Sequence, residues 1–140
     1  MLKIYSKRQS SGILVVGGLQ NGKSTELFLP SIGKSCSMAD LPDAGRYAHT
    51  MDILAGTPIV CAGNYRDERI RNCIQFSPVT SFGVWNNFSS TETVEPRYGH
   101  TSWVSPNGSL FLFGGWDSPK TSEVVSGGKS FNLIKEVKLV

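Results

Sequence analysis

One eight-residue segment has the pattern of a phosphate-binding loop. It reads Gly-Gly-Leu-Gln-Asn-Gly-Lys-Ser over residues 17–24, and it follows an apolar run at residues 13–16. In such a loop the backbone N–H groups hold phosphate oxygens, while Lys23 would reach the terminal phosphate and Ser24 would bind Mg²⁺. This chemistry requires a helix to begin at Lys23, because the free N–H groups of the first helical turn hold the anion.

The residues after this loop argue against such a helix. Pro30 would break it in its second turn. No apolar strand ending in Asp follows that could hold the metal ion. The pair Gly114-Gly115 also follows an apolar run, but without Gly-Lys-Ser after it. We therefore interpret residues 17–24 as a turn and keep nucleotide binding as a lesser alternative.

Two histidines and two arginines could serve acid–base or anion chemistry, and they belong to one repeated phrase. Arg46-Tyr47-Ala48-His49-Thr50 returns 51 residues later as Arg97-Tyr98-Gly99-His100-Thr101. No pattern of a Ser, Cys or Asp nucleophile accompanies either histidine. Because these residues have the same place in both repeats, a structural role is favoured. In such a role a buried polar side chain is hydrogen-bonded, and the same arrangement recurs in each repeat.

The three cysteines do not indicate a metal site. Their number is odd and no Cys-x-x-Cys occurs, so neither a zinc site nor a complete disulfide framework is indicated. We interpret them as buried free thiols in a reducing compartment. One pairing stays open, because Cys61 ends one predicted strand and Cys73 begins the next.

The elements that would position these residues are short strands. Each copy of the phrase leads, after a polar break, into an apolar run that ends in small residues, at 59–63 and 110–115, and a third such run lies at 13–18. Apolar runs of about five to eight residues between Gly, Pro and Asn turns favour an all-β fold. Repetition at about 50 residues is typical of a β-propeller, in which each repeat is one blade of four antiparallel strands.

The repeat divides the chain into four parts: a polar segment at 1–11, a partial first repeat at 12–45, a second repeat at 46–96 and a truncated third repeat at 97–140. The second repeat is predicted to form strands at 47–54, 58–62, 71–76 and 82–88. The third is predicted to form strands at 98–105, 109–114 and 122–126, and to run out before its outer strand. The first lacks a clear opening strand and continues with strands at 12–16, 25–29 and 34–38.

The order of these features resembles the kelch repeat over about residues 12–125. The second unit is the fullest match, with Arg46, His49, Gly63 and Trp85, and it departs from the pattern at Ala62, where the family has the first glycine of a pair. The resemblance implies kelch-like propeller blades. About three units make an incomplete ring, since propellers close with typically 4–8 blades. The ring would then be completed by missing blades of a longer protein or by self-association.

The resemblance implies a non-catalytic protein–protein interaction module, such as a substrate-recognition or scaffold part of a larger protein. Some kelch-like propellers resemble the substrate receptors of cullin-type ubiquitin ligases. The alternative is an enzyme-type propeller of the copper-oxidase kind, which needs His, Tyr and Cys groups that converge at the axis. Two histidines in equivalent places do not supply that set, so no cofactor or metal is expected.

The expected binding surface follows from the strand order. Loops of an antiparallel blade alternate between two faces, so the loops after the glycine pairs emerge beside the loops that precede Arg46 and Arg97. This surface, here named the loop face, comprises residues 19–24, 40–45, 64–69, 89–95 and 116–120. The sequences of these segments differ between the units, whereas the strand sequences repeat. This is typical of a rigid frame with adaptable binding loops, although variable loops can also be merely tolerant of change. The opposite face is expected to offer only the turns at 55–57 and 106–108. The expected protein-binding residues are Asn64, Tyr65, Arg66, Asp67, Glu68, Arg69, Trp116 and Asp117.

Bulk properties exclude other classes of partner. The 140 residues suffice for one ordinary domain, and the net charge of +3 is small and scattered, which argues against nucleic acid or an anionic membrane surface. No apolar stretch approaches the roughly 20 residues that span a bilayer. No apolar segment typical of a secretory signal follows Met1, so we expect a cytoplasmic location, with secretion open if the chain is a fragment.

Overall fold

The computed structural model describes residues 2–5, 11–93, 95–116, 122–126 and 129–134. These residues form short antiparallel strands and no helix, so the all-β prediction is confirmed. No described segment is a helix long and apolar enough to cross a membrane.

The first sheet contains four antiparallel strands in chain order: β1 (Leu2–Tyr5), β2 (Ser11–Val16), β3 (Thr25–Leu29) and β4 (Lys34–Ser37). The opening strand β1 was not predicted, because four residues are too few for a clear alternation of apolar and polar positions. The other three strands lie where they were predicted. β3 begins directly after the Gly-rich loop, in place of the helix that phosphate binding would require.

The second sheet follows, with a small hairpin inserted between its second and third strands. The elements are β5 (Thr50–Leu54), β6 (Thr57–Cys61), the hairpin strands β7 (Asn64–Tyr65) and β8 (Glu68–Arg69), then β9 (Asn72–Ser77) and β10 (Val84–Glu92). Strands β5, β6, β9 and β10 form the four-stranded sheet, in spatial order β10-β9-β6-β5. All four were predicted, with ends that shift by a few residues.

The third sheet repeats the arrangement. It comprises β11 (Thr101–Val104), β12 (Leu110–Phe113), β13 (Ser122–Ser126) and β14 (Lys129–Ile134), again antiparallel and in chain order. The prediction that this unit runs out before its outer strand is wrong, since β14 pairs with β13. The sequence signal for β14 is the Gly-Gly dipeptide at 127–128, which is a hairpin signal between two short strand-like runs.

Two apolar layers hold the three sheets together. Because successive side chains of a strand point to opposite faces, Ile59 and Val60 of β6 enter different layers. The layer between the first and second sheets contains Leu14, Val16, Val60, Ile74, Phe76 and Trp85. The layer between the second and third sheets contains Leu54, Ile59, Cys61, Cys73, Leu110 and Leu112. The opening strands lie side by side, β1 against β5 and β5 against β11.

A disulfide joins Cys61 of β6 to Cys73 of β9. The two residues are register partners in the sheet, with Cα atoms 4.1 Å apart, and both are buried. Cys36 is a free and exposed thiol. The interpretation of buried free thiols is therefore wrong, because the register of β6 and β9 brings together the pair that the sequence left open.

Candidate functional site: the loop face

The repeated arginine is the buried anchor beneath the loop face. Nη1 of Arg46 donates to the carbonyl oxygens of Ala62 at 3.1 Å and Asn72 at 3.2 Å, and Nη2 donates to Oδ1 of Asn72 at 2.9 Å. Asp43 pairs with the same guanidinium. Burial lowers the pKa of Arg46, and the nearby Asp43 carboxylate opposes this effect. Arg46 therefore fastens the segment that enters the second sheet to the ends of β6 and β9.

The second copy of the phrase makes an equivalent contact. Nη1 of Arg97 donates to the carbonyl oxygen of Gly114 at 2.8 Å, which corresponds to the bond from Arg46 to Ala62. Both arginine side chains are fully buried. At this position the arginine side chain donates hydrogen bonds to backbone carbonyl oxygens and does not expose its charge at the surface.

The backbone of each arginine links one sheet to the previous sheet. The N–H of Gly18 donates to the carbonyl oxygen of Arg46 at 3.0 Å, and the N–H of Gly63 donates to that of Arg97, also at 3.0 Å. Gly63 has φ 108°, and a Cβ placed on it would lie 2.9 Å from the Tyr47 carbonyl oxygen. Only glycine fits this position without displacing the phrase.

The repeated histidines also serve the junctions between sheets. Nε2 of His100 lies 2.8 Å from Oγ1 of Thr50, so the second copy of the phrase is hydrogen-bonded to the first. Ser102 donates a hydrogen bond to the carboxylate of Asp52 alongside. Burial, reinforced by the Arg46 guanidinium, lowers the pKa of His49 to about 4. His49 is therefore neutral at pH 7.

The Gly-rich loop at 17–24 is a closed turn. The N–H of Gly17 donates to the carbonyl oxygen of Ser24 at 2.8 Å, and the carbonyl oxygen of Gly22 accepts the N–H of Arg46 at 2.8 Å. The loop ends in the strand that begins at Thr25. Its backbone thus belongs to the junction between the first two sheets, and the helix N-terminus that would hold a phosphate is not formed.

The hairpin β7–β8 is a charged element of the loop face. Its two-residue turn, Arg66-Asp67, has φ angles of 47° and 66°, which is the pattern of a type I′ turn. The Arg66 guanidinium carbon lies 5.2 Å from the centroid of the Tyr65 ring. Residues 66–69 are all exposed. The hairpin therefore presents a tip of mixed charge in a defined backbone shape.

Three loops of this face touch one another. A Cβ on Gly22 would lie 3.1 Å from the Tyr65 ring and 3.0 Å from the N of Arg46. Tyr47 and Asn64 exchange backbone hydrogen bonds of 2.9 and 3.0 Å. The N–H of Leu41 also donates to the carbonyl oxygen of Lys23 at 2.9 Å, so the segments at 19–24, 40–45 and 64–69 form one continuous surface.

The eight residues expected to bind a partner are placed differently by the structure. Asn64 is only 7% exposed, although it is the first residue of the hairpin, and its backbone pairs with Tyr47. Tyr65 is half-buried, and Trp116 is 76% exposed. Arg66, Asp67, Glu68 and Arg69 form the exposed tip, whereas Asp117 lies outside the described residues.

The predicted loop face at 19–24 included Leu19, but the residues expected to bind a partner did not. Leu19 directly follows Gly18 and is 75% exposed, and Trp116 directly follows Gly115. Asn64 holds the same position after Gly63 in the second unit. The signal was available, because a large apolar residue after a glycine pair has no strand partner to cover it. Leu19 and Trp116 are therefore equivalent exposed apolar groups on one face of the molecule.

The opposite face carries more than the two short turns expected. The turns at 30–33 and 78–83 expose Ile32, Val79 and Phe82. These turns join the third and fourth strands of the first two sheets, at the strand ends opposite to the loops at 17–24 and 62–71. They provide natural controls for any test of binding.

No metal site is formed within the part of the chain that the structure describes. There, no three His, Cys, Asp or Glu side chains converge closely enough to hold an ion. His100 is hydrogen-bonded to Thr50, and two of the three cysteines form the disulfide.

Comparison with known proteins identifies the fold and no family. No protein-family model matches the chain, and no curated protein matches it significantly. Among solved structures it is similar to a fungal alcohol oxidase of the AA5 family in complex with copper, with a TM-score of 0.66 and 15% sequence identity. The match covers 89% of this chain and 27% of the oxidase chain. The chain thus spans about a quarter of that oxidase, and the similarity concerns the fold alone.

Proposed function

We propose that this chain is a non-catalytic protein-binding module, built from kelch-like propeller blades, whose loop face binds the partner. Three successive four-stranded sheets, joined twice by the same Gly-to-Arg hydrogen bond, support the architecture. The observation that carries the function is the exposure of Leu19 and Trp116 at equivalent positions of the loop face, with the charged hairpin in the unit between them.

The chemistry of the loop face suits a protein surface. Trp, Tyr and Arg dominate the energetics of protein interfaces, and Trp116, Tyr65 and Arg66 are of these types. The tip contains two basic and two acidic residues, Arg66, Asp67, Glu68 and Arg69. Charges of both signs select a complementary partner more than they attract a highly charged polymer. We expect a protein with an apolar anchor for Trp116 and opposite charges for the tip.

The second candidate is the copper-oxidase alternative, which the fold similarity favours. That oxidase is in complex with copper, and this chain spans 27% of its length. The described side chains do not converge as metal ligands. The alternative predicts that the purified chain binds one Cu²⁺ tightly. Calorimetry that shows only weak binding, unchanged in His49→Gln and His100→Gln, would reject it.

The disulfide bears on where the module works. Disulfides persist in oxidising compartments and are rare in the cytosol. Both cysteines are buried in a register pair of the second sheet, so the bond belongs to the folded core. We therefore propose an extracytoplasmic location in place of the cytoplasmic one expected from the sequence.

The binding proposal is tested with two multiple-alanine variants, one on each face of the molecule. Tyr65→Ala, Arg66→Ala and Trp116→Ala are combined in one variant, and Val79→Ala with Phe82→Ala in another. Both sets change exposed or half-buried side chains, so both variants are expected to keep the wild-type melting temperature within a few degrees. Partners captured by the wild-type chain are identified by mass spectrometry, and their Kd values are then measured.

We expect the loop-face variant to weaken binding at least tenfold and the opposite-face variant to leave it unchanged. Each well-packed aromatic or arginine anchor at the centre of an interface contributes about 2 kcal/mol or more. Undiminished binding by the loop-face variant, with loss in the opposite-face variant, would contradict the assignment of the face.

A further inference from the structure

The third sheet has one apolar face that nothing in the described part of the chain covers. Trp103 of β11 is the register partner of Phe111 of β12, so the two side chains share a face with Phe113. The Trp103 and Phe111 ring centroids are 5.4 Å apart, and those of Phe111 and Phe113 are 6.1 Å apart. Trp103 is 51% exposed. Leu110 and Leu112, on the other face, are buried against the second sheet.

This aromatic face is the counterpart of a face that is buried elsewhere in the molecule. Ile59 stands four residues before Gly63, and Phe111 stands four residues before Gly115. Both glycines make the same contacts with the Arg and His of their own unit. Ile59 is buried beneath the third sheet. Phe111 therefore occupies the position that a following sheet would cover.

The first sheet has the complementary open face. Val15 stands three residues before Gly18, as Val60 does before Gly63. Val60 is buried in the layer toward the preceding sheet, whereas Val15 is 44% exposed. Ile13 and its register partner Phe28 lie on the same side as Val15 and are half-buried. The molecule thus has two open apolar faces, one on the third sheet and one on the first. Within the chain, the corresponding faces of successive sheets pack against each other.

We infer that a second copy of this chain covers both faces. The aromatic face of each copy (Trp103, Phe111 and Phe113) packs on the aliphatic face of the other (Ile13, Val15 and Phe28). A second copy buries both open faces through two identical contacts, and each contact continues the sheet-on-sheet packing that already occurs twice within the chain. A partner that covers only one face would leave the other apolar patch in water.

This packing produces a closed dimer with two-fold symmetry. The inference rests on the propeller architecture proposed above. Six sheets lie within the 4–8 blades with which propellers close, and a ring of two copies satisfies the closed symmetry that most homo-oligomers have. The loop faces of the two copies would then lie on the same side of one ring.

The test measures mass in solution for the whole chain and three variants. We expect the wild type to have twice the 15.2 kDa of one chain in sedimentation or light scattering at micromolar concentration. Trp103→Glu and Val15→Lys should each yield the single-chain mass, because each places a charge in both contacts. Val79→Lys is the matched control, since Val79 is 78% exposed in a turn that lies on neither open face, and it should remain a dimer.

Mixing the two charged variants makes the test specific. In a mixed pair one contact is native, and the other places the introduced glutamate of one variant opposite the introduced lysine of the other. Equal amounts of the two variants should therefore restore the dimer. Three results would overturn the inference: a wild-type chain of single mass with native β-sheet content, a dimer that survives both charged substitutions, or a mixture that stays monomeric. The loop-face variant of the binding assay changes neither Trp103 nor Val15, so failure of the dimer leaves that proposal standing.

Discussion

At the residue scale, the two residues after the second strand of each sheet share one unusual backbone conformation. Their φ angles repeat: 64° and 130° at Gly17-Gly18, 56° and 108° at Ala62-Gly63, and 64° and 106° at Gly114-Gly115. Ala62 therefore adopts a left-handed conformation that costs a non-glycine residue about 1–2 kcal/mol. The departure from the kelch pattern at this position is a local strain that the rest of the junction tolerates.

Substitutions at Ala62 and Gly63 should have different effects on the free energy of unfolding. Gly63→Ala adds a Cβ 2.9 Å from the Tyr47 carbonyl oxygen and 3.0 Å from Cβ of His49, and we expect it to lower the free energy of unfolding by about 2 kcal/mol or more. Ala62→Gly relieves the left-handed strain but adds freedom to the unfolded chain, so stability should stay within about 1 kcal/mol of wild type. Urea denaturation measures both, and equal losses in the two variants would refute the assignment.

His49 should make stability depend on pH in the acid range. Burial lowers its pKa in the folded state to about 4, below the ordinary value of about 6.5. Between these values the unfolded chain binds a proton that the folded chain does not, so stability falls as pH decreases from about 6.5 to about 4 and then levels off. The full effect is on the order of 3 kcal/mol.

The measurement compares the wild type with His49→Gln at each pH, because other groups also titrate. The variant cannot take up this proton, so its stability should fall less steeply than that of the wild type between pH 6.5 and 4. Parallel curves for the two proteins would show that His49 does not titrate with the shifted pKa.

The sequence could predict the duty of the arginines and histidines but not all of the residues around them. Repetition of one phrase separates a structural side chain from a catalytic one, and Arg46 and His100 indeed make junction contacts. The burial of Asn64 could not be predicted, because it depends on how the hairpin that contains it packs against the rest of the fold. The left-handed Ala48, Ala55 and Ala62 were equally hidden, since alanine carries no signal for positive φ.

At the element scale, the central strands of each sheet were predictable, whereas two of the edge strands, β1 and β14, were not. Strands β2, β6 and β12 are apolar runs that end in small residues, so composition marks them clearly. The edge strands β1 and β14 have weak patterns, and they are defined by pairing with a neighbour. The disulfide depends on the register of β6 and β9, which is a tertiary property that spacing alone leaves open.

The disulfide should be visible as a count of reactive thiols. In the denatured chain without reductant, one thiol should react with an alkylating reagent, namely Cys36, and after reduction all three should react. Replacing Cys61 and Cys73 together by Ala should lower the free energy of unfolding by about 2–4 kcal/mol, as for loops of similar length. Three reactive thiols in a chain taken directly from its native compartment would reject both the bond and the extracytoplasmic location.

At the scale of the whole molecule, the loop face and the open sheet faces carry different kinds of side chain. The loop face carries the charged hairpin with Leu19 and Trp116, whereas the open sheet faces carry the aromatic and aliphatic layers. The junction residues between sheets are buried and hold the two kinds of surface in fixed relation. Changes at Trp116 should therefore leave the mass in solution unchanged, and changes at Trp103 should leave the loop structure intact.

The central claim, that the loop face receives a protein partner, is tested most directly by photo-crosslinking. A photoreactive phenylalanine analogue replaces Trp116 in one variant and Phe82 on the opposite face in another, since both side chains are largely exposed. We expect the variant at position 116 to form a covalent adduct with the partner and the variant at position 82 to form none. An adduct from position 82 alone would contradict the claim.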